Sequence, residues 1–298
     1  MPIAEEVSRL AQETATGETI LDALMLHSVV AWLMPAEGDA ATLDDRFNQA
    51  VEELGQPADQ WQAAMQDVVW ALHRGDFAAG EQLAEEALSR GGPRRSDADC
   101  SYRLAMFVLR REQGRLAEIE DLIRDAVDEY PGYRSFRCFI PLLDYELGRE
   151  DVARAGFDEL AEDDFAALPR DSEWLFCLSV LAEVAVLLEN LDAADVLYRL
   201  LLPYAEVNVL AAGEVAIGPV GRFLGILGAR IGRDEEAAEH FETAIAMTAR
   251  MNARPWLAHT QHDYAQMLLA RGKPGDAERA RELLGDSVAA FQQLGIRR

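Results

Sequence analysis

The chain has 298 residues, 50% of them hydrophobic and 27% charged, so it holds enough apolar material for a substantial core beneath a wet surface. Its 53 acidic against 28 basic residues give a formal charge of −25, which repels phosphate backbones at long range and argues against direct binding of DNA or RNA. The start, Met1-Pro2-Ile3-Ala4-Glu5-Glu6, lacks the basic region of a signal peptide, and the most apolar stretch, Trp174 to Leu188, is broken by Glu183 and too short for a bilayer, so a cytoplasmic protein is expected.

In chain order, residues 2–16 and 18–34 read as opening helices, Pro35 to Ala41 as a loop and Thr42 to Leu54 as a third helix, so that 1–56 would form an N-terminal cap. Pro57 opens the first hairpin. From there a turn followed by a small residue recurs. Gly75-Asp76-Phe77 leads to Gly80, Ala84 and Ala87, and Gly114-Arg115 leads to Ile119, Ile123 and Ala126. Gly148-Arg149 leads to Ala153, Phe157 and Leu160, Glu189-Asn190 to Ala194, Tyr198 and Leu201, and Gly232-Arg233 to Ala237, Phe241 and Ala244. The turns are 39, 34, 41 and 43 residues apart. Glycine suits the left-handed cap that ends one helix, acidic residues suit the start of the next, and the small residue lets the pair approach closely. A lone hairpin leaves an apolar face bare, so such units are stable as a stack. No alternating β-branched run exceeds a few residues, so no strand is expected. Glu206 to Gly221, with Gly213, Gly218, Pro219 and Gly221, reads as a loop between repeats, either a functional insert or loose packing.

These turns resemble tetratricopeptide repeats, helix-turn-helix units of about 34 residues. The unit around Gly114 matches best, because Pro131 falls where that family often ends the second helix; the last unit carries three extra residues before Ala280 and Leu284. The resemblance implies an all-α fold: one domain over 1–298, a superhelix of antiparallel helical hairpins with about six repeats over 57–298. A narrower resemblance covers roughly 125 residues of the C-terminal half. Trp174, Leu200-Leu201-Leu202-Pro203-Tyr204-Ala205, Gly218-Pro219-Val220, Phe223-Leu224-Gly225, Met251-Asn252-Ala253-Arg254-Pro255-Trp256 and Leu268-Leu269-Ala270-Arg271-Gly272 are similar to the repeat region of bacterial STAND-class regulatory ATPases, LuxR-type regulators among them. That resemblance implies a regulatory, inducer-sensing role in signal transduction or transcription control. No phosphate-binding G-x-x-x-x-G-K-[ST] is present, so the chain reads as a free-standing relative of that sensor region or a fragment of a longer protein.

Little in the sequence points to catalysis, and no cofactor or metal is expected. His259, His262 and Asp263 share a helical face and could offer a metal two imidazoles and a carboxylate, but no third histidine or glutamate is tied to them by sequence. Asp163 and Asp164 read as a solvated acidic turn before Pro169, and Cys100, Cys138 and Cys177, about 38 residues apart, as core thiols at equivalent repeat positions. In tetratricopeptide-like stacks the first helices of successive hairpins line a concave groove. Carried over, the groove positions are Leu104, Arg111, Ser135, Tyr145, Ser179, Glu183, Arg222, His259, His262 and Gln266. Such a surface would suit a carboxylate-bearing peptide, a protein segment or a small polar effector. The alternative is a small-molecule sensor or enzyme with its site near the 206–222 loop.

Overall fold

A computed structural model of the chain describes residues 6–7, 9, 17–35, 39–55, 57–92, 95–211 and 215–297. The protein is all-α apart from one two-stranded hairpin. Its helices are α1 (Gly17–Leu33), α2 (Ala40–Leu54), α3 (Pro57–Arg74), α4 (Phe77–Arg90), α5 (Arg95–Glu112), α6 (Glu120–Glu129), α7 (Arg134–Glu146), α8 (Glu150–Phe165), α9 (Trp174–Leu187) and α10 (Leu191–Leu201). The strands β1 (Asn208–Ala211) and β2 (Val215–Pro219) precede α11 (Val220–Arg230), α12 (Asp234–Met251), α13 (Arg254–Arg271) and α14 (Asp276–Leu294). The two expected helices over 18–34 and 42–54 are thus found at 17–33 and 40–54, while the one over 2–16 lies almost wholly outside the described residues.

The five turns share one geometry. Gly75, Gly114, Gly148 and Gly232 have φ of 80°, 67°, 80° and 76°, and Glu189 takes the same place at 55°. The next residue donates its N–H to the carbonyl five back in every case: Asp76 to Ala71, Arg115 to Arg110, Arg149 to Asp144, Asn190 to Ala185 and Arg233 to Gly228, at 2.8–3.0 Å. These bonds satisfy carbonyls that the ending helix would otherwise leave bare. Asp76 and Asn190 then cap the following helices by accepting from the N–H groups of Ala79 and Ala193. The small residues behind the turns, Ala84, Ala87, Ala153, Ala194, Ala237 and Ala244, are all buried.

Neighbouring helices pack in sequence order, and the odd-numbered ones also meet one another. Helix α3 touches α5, α7 touches α9, α9 touches α11 and α11 touches α13. Phe107 of α5 stacks on Phe139 of α7 with ring centroids 3.7 Å apart. The series closes, because α13 packs back on α3. His73 Nε2 meets the Met251 carbonyl at 2.9 Å, the Arg297 N–H donates to the Glu112 carbonyl at 2.9 Å, and Leu294 lies against Gly75. The inner helices therefore form a ring, with α4, α6, α8 and α10 outside it, while α14 lies across the closure and sends Phe291 to its inner side.

The segment expected to be a strandless loop is where the structure departs from the sequence reading. Strands β1 and β2 pair antiparallel, Asn208 opposite Pro219 and Ala211 opposite Val215, with an irregularity between Val209 and Leu210. Every residue of both strands is buried. The hairpin contacts α3, α5, α9, α11, α12 and α13, so it plugs the ring, and α1 covers β1 from outside. A strand enclosed on both faces needs no polar alternation, which is why its pattern carried no strand signal. Gly218, at φ 96°, is required there: a Cβ would sit 3.1 Å from that of Trp256.

A smaller departure ends α8. Asp163, Asp164 and Phe165 are all left-handed, with φ of 49°, 57° and 62°, so the acidic pair belongs to a kinked helix end rather than to an open loop. The kink turns Phe165 inward against Phe157. Cys100, Cys138 and Cys177 are buried, on α5, α7 and α9. Among the described residues no helix is long and apolar enough to cross a membrane.

Candidate functional site

Above the hairpin the ring encloses a cavity of about 680 Å³. Six of the ten groove positions line it: Arg111 from α5, Tyr145 from α7, Glu183 from α9, Arg222 from α11, and His259 and His262 from α13. Each inner helix from α5 onward supplies at least one.

Four do not reach it. Leu104 is fully buried in the core. Ser135 is equally buried, its Oγ donating to Glu173 at 3.1 Å. Ser179 turns its hydroxyl back to the Leu175 carbonyl at 2.8 Å. These three sit on the packed side of their helices, where a one-residue rotation of register puts a groove position into the core. Gln266 is exposed beside a separate depression lined with Val186, Ala229 and Met267.

Across the cavity floor runs a chain of alternating charges, Glu146, Arg111, Glu183, Arg222 and Asp263, one from each of five helices. Arg111 Nε donates to Glu146 at 2.6 Å, and its Nη2 lies 2.5 Å from Glu183 Oε2. Arg222 Nη1 donates to Glu183 Oε1 at 2.6 Å and its Nε to Asp263 at 2.7 Å. Glu183 thus bridges the two guanidiniums. Burial alone would weaken the positive charge of Arg111, but Glu183, Glu146 and Glu112 outweigh it and hold its pKa above the ordinary value. For Arg222 burial is likewise overcome, by Asp263 and Glu183. Both stay charged. Beneath the chain, Phe107, Phe139, Ile217 and Trp256 enclose a void of about 20 Å³, so the hairpin closes the underside.

The three candidate metal ligands do not converge. His259 Nε2 meets the buried Glu112 at 2.7 Å, Asp263 is held by Arg222, and the His262 ring stands edge-on to Phe291 with centroids 6.0 Å apart. Among the described residues no three His, Cys, Asp or Glu groups could hold a metal ion together.

No protein-family model, curated protein or solved structure matches this chain. The chemistry open to the cavity is set by its own donors and acceptors. Sequence reasoning does not single out Glu112 and Glu146, although each is adjacent to a groove position, and it marks Asp263 only toward a metal. Phe291 and Arg297, which complete the rim, come from α14 and the residues after it. Only the closing of the ring brings them there, so nothing in the local sequence marks them. The described part of the 206–221 segment is largely buried, and Arg222, directly after it, reaches the cavity.

Proposed function

We propose that the protein is a non-enzymatic, tetratricopeptide-like scaffold that takes a small effector into its central cavity and passes occupancy to a regulatory partner, in bacterial cytoplasmic signalling or transcription control. The observation that carries this reading is the convergence of six of the expected groove positions, from five helices, on one cavity of about 680 Å³, within the range of small-molecule sites. The hairpin beneath the floor favours a compact ligand over an extended peptide threaded through the ring. Binding rather than catalysis is favoured because the cavity's arginines and carboxylates are engaged with one another, and His259 faces Glu112 rather than a nucleophile. A ligand touching several inner helices would resist their relative motion, which is how occupancy would reach a partner on the outer face.

The test is ligand-observed NMR with a fragment panel on the full chain and on Ala117→Trp, which fills the rim from an exposed position. Saturable hits that disappear in the variant while its melting transition is unchanged would support the reading. Hits that persist in Ala117→Trp, or substrate turnover by the purified protein, would sink it.

A further inference from the structure

Resting on the cavity being the binding site, we infer that its ligand is a zwitterion: a free ammonium and a free carboxylate on an apolar body, the class of apolar amino acids and dipeptides. The floor presents both kinds of partner side by side. Arg111 Nη1 and Arg222 Nη2 make no hydrogen bond to any described residue, while the rest of each guanidinium is fixed by carboxylates. They are preoriented donors for a carboxylate, held in place by Glu183 between them. Glu146 and Asp263 each use one oxygen on an arginine, Oε1 and Oδ2 respectively, leaving Oε2 and Oδ1 as acceptors for an ammonium.

Charge balance decides between this ligand and a simple ion. The cavity is lined by Arg111, Arg222 and Arg297 against Glu146, Glu183 and Asp263. His259, beside them, is paired with Glu112. A lone anion would unbalance this set and also be repelled by a chain of net charge −25. A lone cation would leave the unused guanidinium donors unmet. A zwitterion answers both and adds no net charge. Val186, Leu187, Ile226 and Phe291 provide the wall against which its apolar body would be buried.

The experiment is isothermal titration of the full chain with L-phenylalanine, with the dipeptide Phe-Leu, and with its N-acetyl and C-amide forms. The uncapped compounds should bind, and either cap should weaken the dipeptide by about tenfold or more, since each removes a charge-assisted contact. Glu146→Gln should weaken uncapped Phe-Leu by a similar factor and leave the N-acetyl form within about twofold, because a general loss of structure would lower both. Binding of phenylalanine and not the dipeptide, or the reverse, identifies which member the cavity fits and supports the inference either way. Equal binding of capped and uncapped forms, or no binding of any of the four, would overturn it. If uncharged fragments still bind in a manner blocked by Ala117→Trp, the cavity stands as a site and only the zwitterion falls; if nothing binds, both readings fall together.

Discussion

His73 is a buried imidazole wedged against Trp32 and Trp70, with ring centroids 4.9 and 5.6 Å away. Burial depresses its pKa from 6.5 to about 4. The unfolded chain takes up this proton near pH 6.5 and the folded chain only near 4, so the contribution is complete above 6.5 and is lost as pH falls through that window. Its size is about 3 kcal/mol. Asp44 works in the opposite sense. It accepts from Ser28, from Trp32 at 3.2 Å and from Trp70 at 2.8 Å, but faces no cation among the described residues, and burial raises its pKa. The folded state therefore keeps that proton longer, and its contribution is lost as pH rises. Urea unfolding at pH 7 and pH 4.5 should show a steeper loss on acidification for the native chain than for His73→Phe; equal slopes would contradict the assignment. At the α8 kink, Asp164 holds a left-handed φ of 57° while exposed. Asp164→Gly should raise stability by roughly 0.5–1 kcal/mol in the same assay, by relieving the strain at some cost in unfolded-chain entropy.

At the scale of elements, small residues set how closely helices approach. A Cβ on Gly225 would fall 2.7 Å from the ring of Phe241, which is itself stacked on Tyr264 with centroids 5.2 Å apart. Gly225→Ala should destabilise α11 against α12 by about 1–3 kcal/mol, as overpacking does. Ala153→Leu, behind the Gly148 turn and fully buried, should act similarly between α7 and α8. Circular dichroism should show retained helicity and a broader transition for both, since the hairpins themselves survive. An unchanged transition would mean that these residues do not set the helix spacing. The alternating five-residue chain links elements in the same way: truncating Glu183 would leave two buried guanidiniums short of a counter-charge, and such losses typically cost about 3–5 kcal/mol.

For the molecule as a whole the decisive feature is closure. Helix α13 returns to α3, Leu294 covers Gly75, Arg297 reaches Glu112, and His259 meets Glu112 across 147 residues of sequence. These contacts also complete the cavity rim with Phe291 and Arg297. Leu294→Asp should open the ring by placing a charge against Gly75 and Pro255, at about 1–3 kcal/mol from lost burial. Small-angle scattering should show a larger radius of gyration with helicity intact, and fragment binding should weaken. A native radius would argue that the ring is closed by other contacts.

The sequence by itself determined the helices and their turns, because four of the five turns carry a glycine in the left-handed position and four of the five a small residue five places on. It also marked Arg111, Tyr145, Glu183, Arg222, His259 and His262, which lie within thirteen residues of the turn that ends their own helix and line the cavity. It misassigned Leu104, Ser135 and Ser179, because along a helix the border between groove and core is a fraction of a turn wide. What only the tertiary structure decided was set by contacts distant in sequence: the strands at 208–211 and 215–219, whose apolar residues look the same in a loop as in a buried hairpin; the ion chain, whose members are matched across five helices; and the closed ring, which depends on α13 meeting α3. Local spacing records neighbours a turn away, whereas a cavity is built from residues that meet across the whole length of the chain.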